Sequence, residues 1–144
     1  MARAMTVVNP AGIKDVINRL EAVASESVLR QAAVAGARVV HEEVIRRAPL
    51  GPKGHARAGK HYPAGTLKKS VFVVFDEEDS LRGVRASYLV GIARDAFYWR
   101  FKEWGSSRQA AEPFFHPGYD GSRGRAGAAM RAVLEKKVAE AVKR

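Results

Sequence analysis

The stretch Ala96–Pro117, AFYWRFKEWGSSRQAAEPFFHP, holds both tryptophans and four of the six phenylalanines of a 144-residue chain. Tyr98, Phe101 and Trp104 recur every three residues. That spacing predicts one or two helical turns with these rings on one side, a stop at Gly105, and Trp99 pointing elsewhere. A large ring removed from water contributes about 1.5–3 kcal/mol. The segment is therefore expected to dominate local packing, as a core cluster or as an interface anchor.

Upstream, Val71–Phe75 (VFVVF) is β-branched and aromatic and apolar at every position, which predicts a strand covered on both faces. DEEDSLRG, Asp76–Gly83, is expected to be an acidic turn. Beyond it Val84, Ala86, Tyr88, Val90 and Ile92 alternate with Arg85, Ser87, Leu89 and Gly91, so the two runs predict an antiparallel hairpin. Asp76, Glu77, Glu78 and Asp79 do not follow the calcium-loop pattern and are expected to be solvated.

Further upstream, Ser25 or Ser27 caps a long helix carried to about Arg47, because Pro49 disfavours helical geometry at the residue before it. Leu29, Ala33, Gly36, Val40 and Val44 form its apolar line, and small residues at Ala33, Gly36 and Ala37 would admit another backbone closely. His41-Glu42-Glu43 lacks the second histidine of a zinc-protease helix, so His41 is expected at the surface or partly buried. Asn9-Pro10 begins a shorter amphipathic helix with Ile13, Val16, Ile17 and Leu20 on one stripe, and Met5–Val8 has the composition of a short strand. Between the long helix and VFVVF lies Pro49–Gly65, so rich in proline and glycine that neither helix nor strand is expected to persist. Lys53, His55, Arg57, Lys60 and His61 make this flexible loop basic, a candidate contact with DNA phosphates or a neighbouring subunit. Downstream, GYDGSRGRAG predicts a flexible connection, and a final amphipathic helix is expected from about Ser122 or Arg125 toward Val142, with Met130 filling core space.

Tyr98, Phe101, Glu103 and Gly105, followed by Ala111, Pro113, Phe114 and Pro117, resemble the Y-x-x-F/V-E-x-G-T... A-x-P-F-L-R-P-A signature of the tail-completion or neck proteins of long-tailed bacteriophages, the gene-ten-like family of HK-type lambdoid phages. Gly65, Leu67 and Ser70 match that family's T-G-x-L-x-x-S, and Ala48-Pro49 its A-P dipeptide. Departures are Trp104 for phenylalanine, Ser106 for threonine, Phe115-His116 for Leu-Arg and Gly118 for alanine, so the family's second-motif arginine has no counterpart. The resemblance implies a structural protein that completes the tail or joins head to tail. Its subunits would form a ring, sixfold in that family, partnered by tail-tube or terminator and head-connector proteins. It also implies assembly in the host cytoplasm and residence in the neck or tail of the virion.

Composition bounds the alternatives. Length and a 47% hydrophobic content suit a single domain over residues 1–144. The absence of cysteine excludes disulfides and thiolate metal sites. No run reaches the roughly 20 apolar residues of a bilayer span, and the first residues lack the apolar centre of an export signal. A net charge of +10 makes nucleic acid or an acidic protein a candidate partner. No P-loop, G-x-S-x-G elbow or dinucleotide fingerprint is present, and neither a catalytic set, a cofactor, a metal nor a small-molecule substrate is expected. The competing function is a basic nucleic-acid-binding module or a small toxin-type ribonuclease working through Arg100, His116 and Arg123. The expected architecture is α+β: a small antiparallel sheet packed by a long helix, with amphipathic helices at both ends.

Overall fold

The computed structural model describes residues 10–23, 25–50, 55–57 and 59–143; Met5–Val8, Asn9 and Lys53 lie outside them. Helix α1 spans Pro10–Val23 and α2 spans Glu26–Arg47. A ribbon of β1 (His55–Arg57) and β2 (Lys60–Tyr62) follows, then a single turn α3 (Thr66–Lys69), strands β3 (Val71–Leu81) and β4 (Arg85–Ile92), a 3-10 turn at Arg94–Ala96, α4 (Trp99–Trp104) and α5 (Phe115–Lys143). The expected α+β architecture is borne out: a long helix lies on an antiparallel hairpin, and the C-terminal helix completes the core.

Helix α2 begins where expected. The Ser25 hydroxyl accepts from the Val28 N–H and the helix closes at Ala48, whose extended backbone precedes Pro49. On it, Val40, Val44 and Ala48 join Leu67, Val71, Ala96, Phe114 and Ala126 in one buried cluster. The hairpin lies against α2 by the inward side of its alternation: Val71 pairs with Ile92, Val73 with Val90 and Phe75 with Tyr88. Arg30 of α2 stacks 3.9 Å above the Phe75 ring. His41 is half-buried, and its Nε2 lies 3.0 Å from the Val71 carbonyl. A carbonyl only accepts, so this imidazole donates and ties the start of β3 to α2.

Four expectations are corrected. First, VFVVF is covered on one face only. Phe72, Val74 and Leu89 are exposed, because α2 packs on the inner side and no described element packs on the outer. Second, the acidic run is not the turn. Strand β3 continues to Leu81 through a bulge after Asp76, where Ser80 bonds the Asp76 carbonyl and accepts from the Ser87 N–H at 2.9 Å. The reversal falls at Arg82–Val84, with Gly83 at φ +71°. Third, strand structure does persist between Pro49 and Gly65. The prolines flank β1 and β2 instead of interrupting them, and Gly59 takes the positive φ of their turn. Fourth, GYDGSRGRAG is helical: α5 starts at Phe115 and runs straight through it.

That last difference has a packing cause. Four glycines in the first half of α5 cost about 0.5–1 kcal/mol each relative to alanine. Phe114, Gly118, Ser122 and Ala126 nevertheless line one face at four-residue spacing, all buried against α2. A Cβ at Gly118 would sit 3.2 Å from the Val44 Cα, and one at Gly36 would meet Met130 and lie 3.2 Å from the Ala126 carbonyl. Close helix contact thus explains the small residues of α2, as their composition led us to expect. Ser122 returns its hydroxyl to the Gly118 carbonyl at 2.6 Å, so no polar atom is stranded there. The other end of α5 receives α1 across a shallow groove between Ala22, Val23 and Lys137, Ala141. The α1 stripe of Ile13, Val16, Ile17 and Leu20 stays exposed.

The four glycines divide by role. Gly118→Val should lower stability by about 1–3 kcal/mol through overpacking against Val44. Gly124→Ala, whose new methyl group has no neighbour within 4 Å, should raise it by about 0.5–1 kcal/mol. Thermal melts of both variants check this, and equal effects would contradict the close contact.

Candidate functional site

The aromatic stretch folds as a helical turn, a tight reversal and the start of a long helix. Helix α4 ends at Gly105, whose φ of +76° only glycine takes readily, and a Cβ there would lie 2.9 Å from the Ala111 nitrogen. Ser106 and Gln109 then close a narrow turn with two backbone bonds, and the Glu112 N–H reaches the Lys102 carbonyl at 2.7 Å. The polar spacer between the two motif halves is therefore a device that returns the chain beside α4.

That return brings Glu103 to the N-terminus of α5. Its carboxylate is buried and accepts from the backbone N–H groups of Phe114, Phe115 and His116 at 2.8, 2.9 and 2.9 Å. His116 Nδ1 adds a fourth contact at 2.8 Å. These N–H groups have no carbonyl partner inside the helix, and the positive end of its dipole favours the anion. Burial pushes the Glu103 carboxyl upward, but the bonds from Phe114, His116 and Phe115, with the imidazole, outweigh it and hold the group below the ordinary carboxylate range. Pro117 fits the same first turn, where a missing N–H is harmless.

The motif residues divide into two sets. Glu103, Gly105, Pro113, Phe114 and Pro117 build this junction, with Phe114 fully buried. Phe101 and Trp104 point out of the core, Trp104 with 60% of its surface exposed; the core alternative for these two rings is corrected. Trp104 packs 5.5 Å from Trp99 and 5.9 Å from the His116 ring. Tyr98 is half-buried and meets Tyr62 edge-on at 5.9 Å, and burial, then the Tyr62 hydroxyl, push its phenol upward. In the other motif Gly65 takes φ +85° and donates to the Leu50 carbonyl at 3.1 Å, Leu67 is core, and Ser70 donates to the Thr66 carbonyl at 2.7 Å.

Within the basic segment, Lys60 has internal partners. Lys60 pairs with Asp95 at 3.2 Å and sits over the Tyr62 ring, which is itself buried. His61 is exposed; His55 and Arg57 belong to β1. Of the residues considered for a ribonuclease, His116 is bound to Glu103, and Arg123 lies about 10 Å further along α5 on the α2, β4 and α5 groove. Among the described residues no group of three or more His, Asp or Glu is placed to hold a metal ion, and no helix is long and apolar enough to cross a membrane.

One charged cluster went unnoticed in the sequence. Glu43 is buried on α2 and accepts from Arg46 at 2.6 and 3.1 Å, Arg47 at 2.7 Å and Arg125 of α5 at 3.0 Å. Hydrogen bonds from Arg46 and Arg47 lead in holding its carboxyl at about 2, against the opposing effect of burial, and Arg46 is raised in turn. The spacing of Glu43, Arg46 and Arg47 on one helix was a usable signal; the fourth member lies 82 residues away. No family model, curated protein or solved structure matches the chain.

Two outcomes are expected. Glu103→Ala leaves buried donors without their charged acceptor and should cost on the order of 3 kcal/mol, with lost helicity by circular dichroism; a change within about 0.5 kcal/mol would exclude the capping role. Both buried carboxylates are depressed in the folded state, so their contribution is present above the ordinary value near 4.5 and lost as pH falls; for Glu43 the window runs from 4.5 to about 2. Urea midpoints across that range should drop for the parent and drop less steeply for Glu43→Gln, which keeps the Glu103 contribution.

Proposed function

We propose that this protein is a structural component of phage or prophage morphogenesis that completes the tail or joins head to tail, acting as a ring of identical subunits. The observation that carries the reading is the placement of large apolar groups on the outside. Phe72 lies over Gly91 and Val74 pairs with Leu89 on the open face of the hairpin, and Phe101 and Trp104 stand out from α4. The exposed α1 stripe forms a third patch on another element. Contiguous exposed apolar surface on a small domain marks a protein interface, and patches on different elements suit head-to-tail contact between copies, which closes into a ring when the rotation is right.

The motif geometry supports the same reading. Of the second motif and its upstream half, Glu103, Gly105, Phe114 and Pro117 build the α4 to α5 junction and Phe101 and Trp104 stand exposed beside it, as expected of a rigid mount for interface rings. Sixfold symmetry, the tail-tube or terminator and head-connector partners, and residence in the neck rest on the resemblance and belong to this proposal. The action is binding and requires no catalytic group.

Two experiments test it. Phe114→Ala should cost about 3–5 kcal/mol, whereas Trp104→Ala, or the triple change of Phe72, Val74 and Leu89 to serine, should leave the melt nearly unchanged and abolish self-association in sedimentation. Phage made without the gene should yield separate heads and tails or defective tails, rescued by the parent protein and not by the triple variant. Normal infectious particles without it would overturn the assignment.

A further inference from the structure

Three guanidinium groups converge on one buried carboxylate at the C-terminal end of α2, and the balance is uneven. Arg46, Arg47 and Arg125 bring three positive charges and Glu43 one negative, leaving a local excess of two, 3 − 1. The carboxylate is sunk, with 5% of its side chain exposed, while the arginine side chains are 71, 41 and 62% exposed. Each guanidinium carries five N–H donors. Arg46 spends two on Glu43, and Arg47 and Arg125 one each. Most donors are therefore left for an acceptor outside the chain, and among the described residues Glu43 is the sole acceptor for all three. The acids flanking them in sequence, Glu42 and Asp120, bond to none of them.

The cluster is built into the fold. Arg46 and Arg47 sit in the last turn of α2, where the helix dipole favours cations. Gly121 of α5 makes room for Arg47, since a Cβ there would lie 3.2 Å from its Nη2. The bidentate grip of Arg46 on Glu43 removes rotamer freedom that a free surface arginine would lose on binding. Holding one buried carboxylate needs a single well-placed arginine; the other two are in excess of that need.

The geometry points to a contact site for the sugar–phosphate backbone of duplex DNA on this α2 and α5 face. The surface is open, so it does not enclose a single small anion, and guanidinium groups match phosphate oxygens in paired fashion. The cluster offers guanidinium donors suited to phosphate oxygens, so the proposed binding is independent of sequence and driven by counterion release. The site is separate from the apolar patches and from the basic residues of β1 and β2, and it does not rest on the assembly reading.

Fluorescence anisotropy with a labelled duplex tests it, using the whole protein across a salt series. Three phosphate contacts from this face would weaken affinity about 40-fold between about 50 and 200 mM salt. Arg46→Gln and Arg125→Gln, each leaving Glu43 two partners, should both fold and each make the log–log salt slope shallower by about 0.9. Lys60→Gln should leave that slope unchanged. Glu43→Gln combined with Arg46→Gln and Arg125→Gln removes the buried charge together with two of its three partners, and should bind with a slope shallower by about 1.8. No binding by the parent at low salt would overturn the proposal. So would parental slopes in folded Arg46→Gln and Arg125→Gln, with or without a loss in Lys60→Gln. An assembly defect with unchanged DNA binding, or the reverse, separates this site from the ring.

Discussion

A single buried carboxylate sets the geometry of this protein. Glu103 gathers the N–H groups of Phe114 and of the first two residues of α5, with an imidazole, around two oxygens, and so fixes both where the longest helix starts and how it leaves α4. An anion removed from water is tolerated only where donors replace its hydration. The end of a helix supplies those donors already aligned. The reverse dependence also holds, because Gly105 and the Ser106–Gln109 turn return the chain to the one place where Glu103 can meet them. Remove the acid and the first turn of α5 loses its acceptor, and with it the alignment of Phe114, Gly118, Ser122 and Ala126 on α2.

The contact between α2 and α5 is made close by absence of side chains. Gly36 and Gly118 bring the helices near enough for Val44 and Met130 to fill the space that a β-carbon would take. Glycine weakens a helix locally, so α5 is held by its neighbours and its cap more than by its own propensity. The Glu43 cluster closes the same seam on its outer edge, joining α2 to α5 by charge where apolar packing gives way to solvent.

Local signals were legible wherever they were chemically strong. Ser25 and Pro49 bracket α2, Gly105 ends α4, and the alternation from Val84 to Ile92 marks β4. The start of α5 was not legible. Gly118, Gly121, Gly124 and Gly127 argue for a loop until Val44 and Arg47 are seen against two of them, and Glu103 acts from the preceding helix. Burial was also only half readable. Phe72 and Val74 have the same character as Val71 and Val73, and only the presence of α2 on one side separates inside from outside. The site followed the same division: Glu103, Gly105 and Phe114 were singled out as motif residues, but their meeting at the start of α5 was not read from the sequence, and Arg125 joins Glu43 across a gap that periodicity along one helix does not report.

The distance in sequence between Glu43 and Arg125, 82 residues, orders events while the chain is being made. Helix α2 is synthesised well before α5, which supplies the partner for its small-residue face. At translation rates of about 5–20 residues per second, that face waits roughly 4–16 s for its partner. Among the described elements between α2 and α5, the hairpin is the largest available to shield α2 during this interval, and it covers a different side. A nascent chain stalled before α5 would present the small-residue groove to solvent, and truncation there would produce fragments for chaperones and proteases to clear.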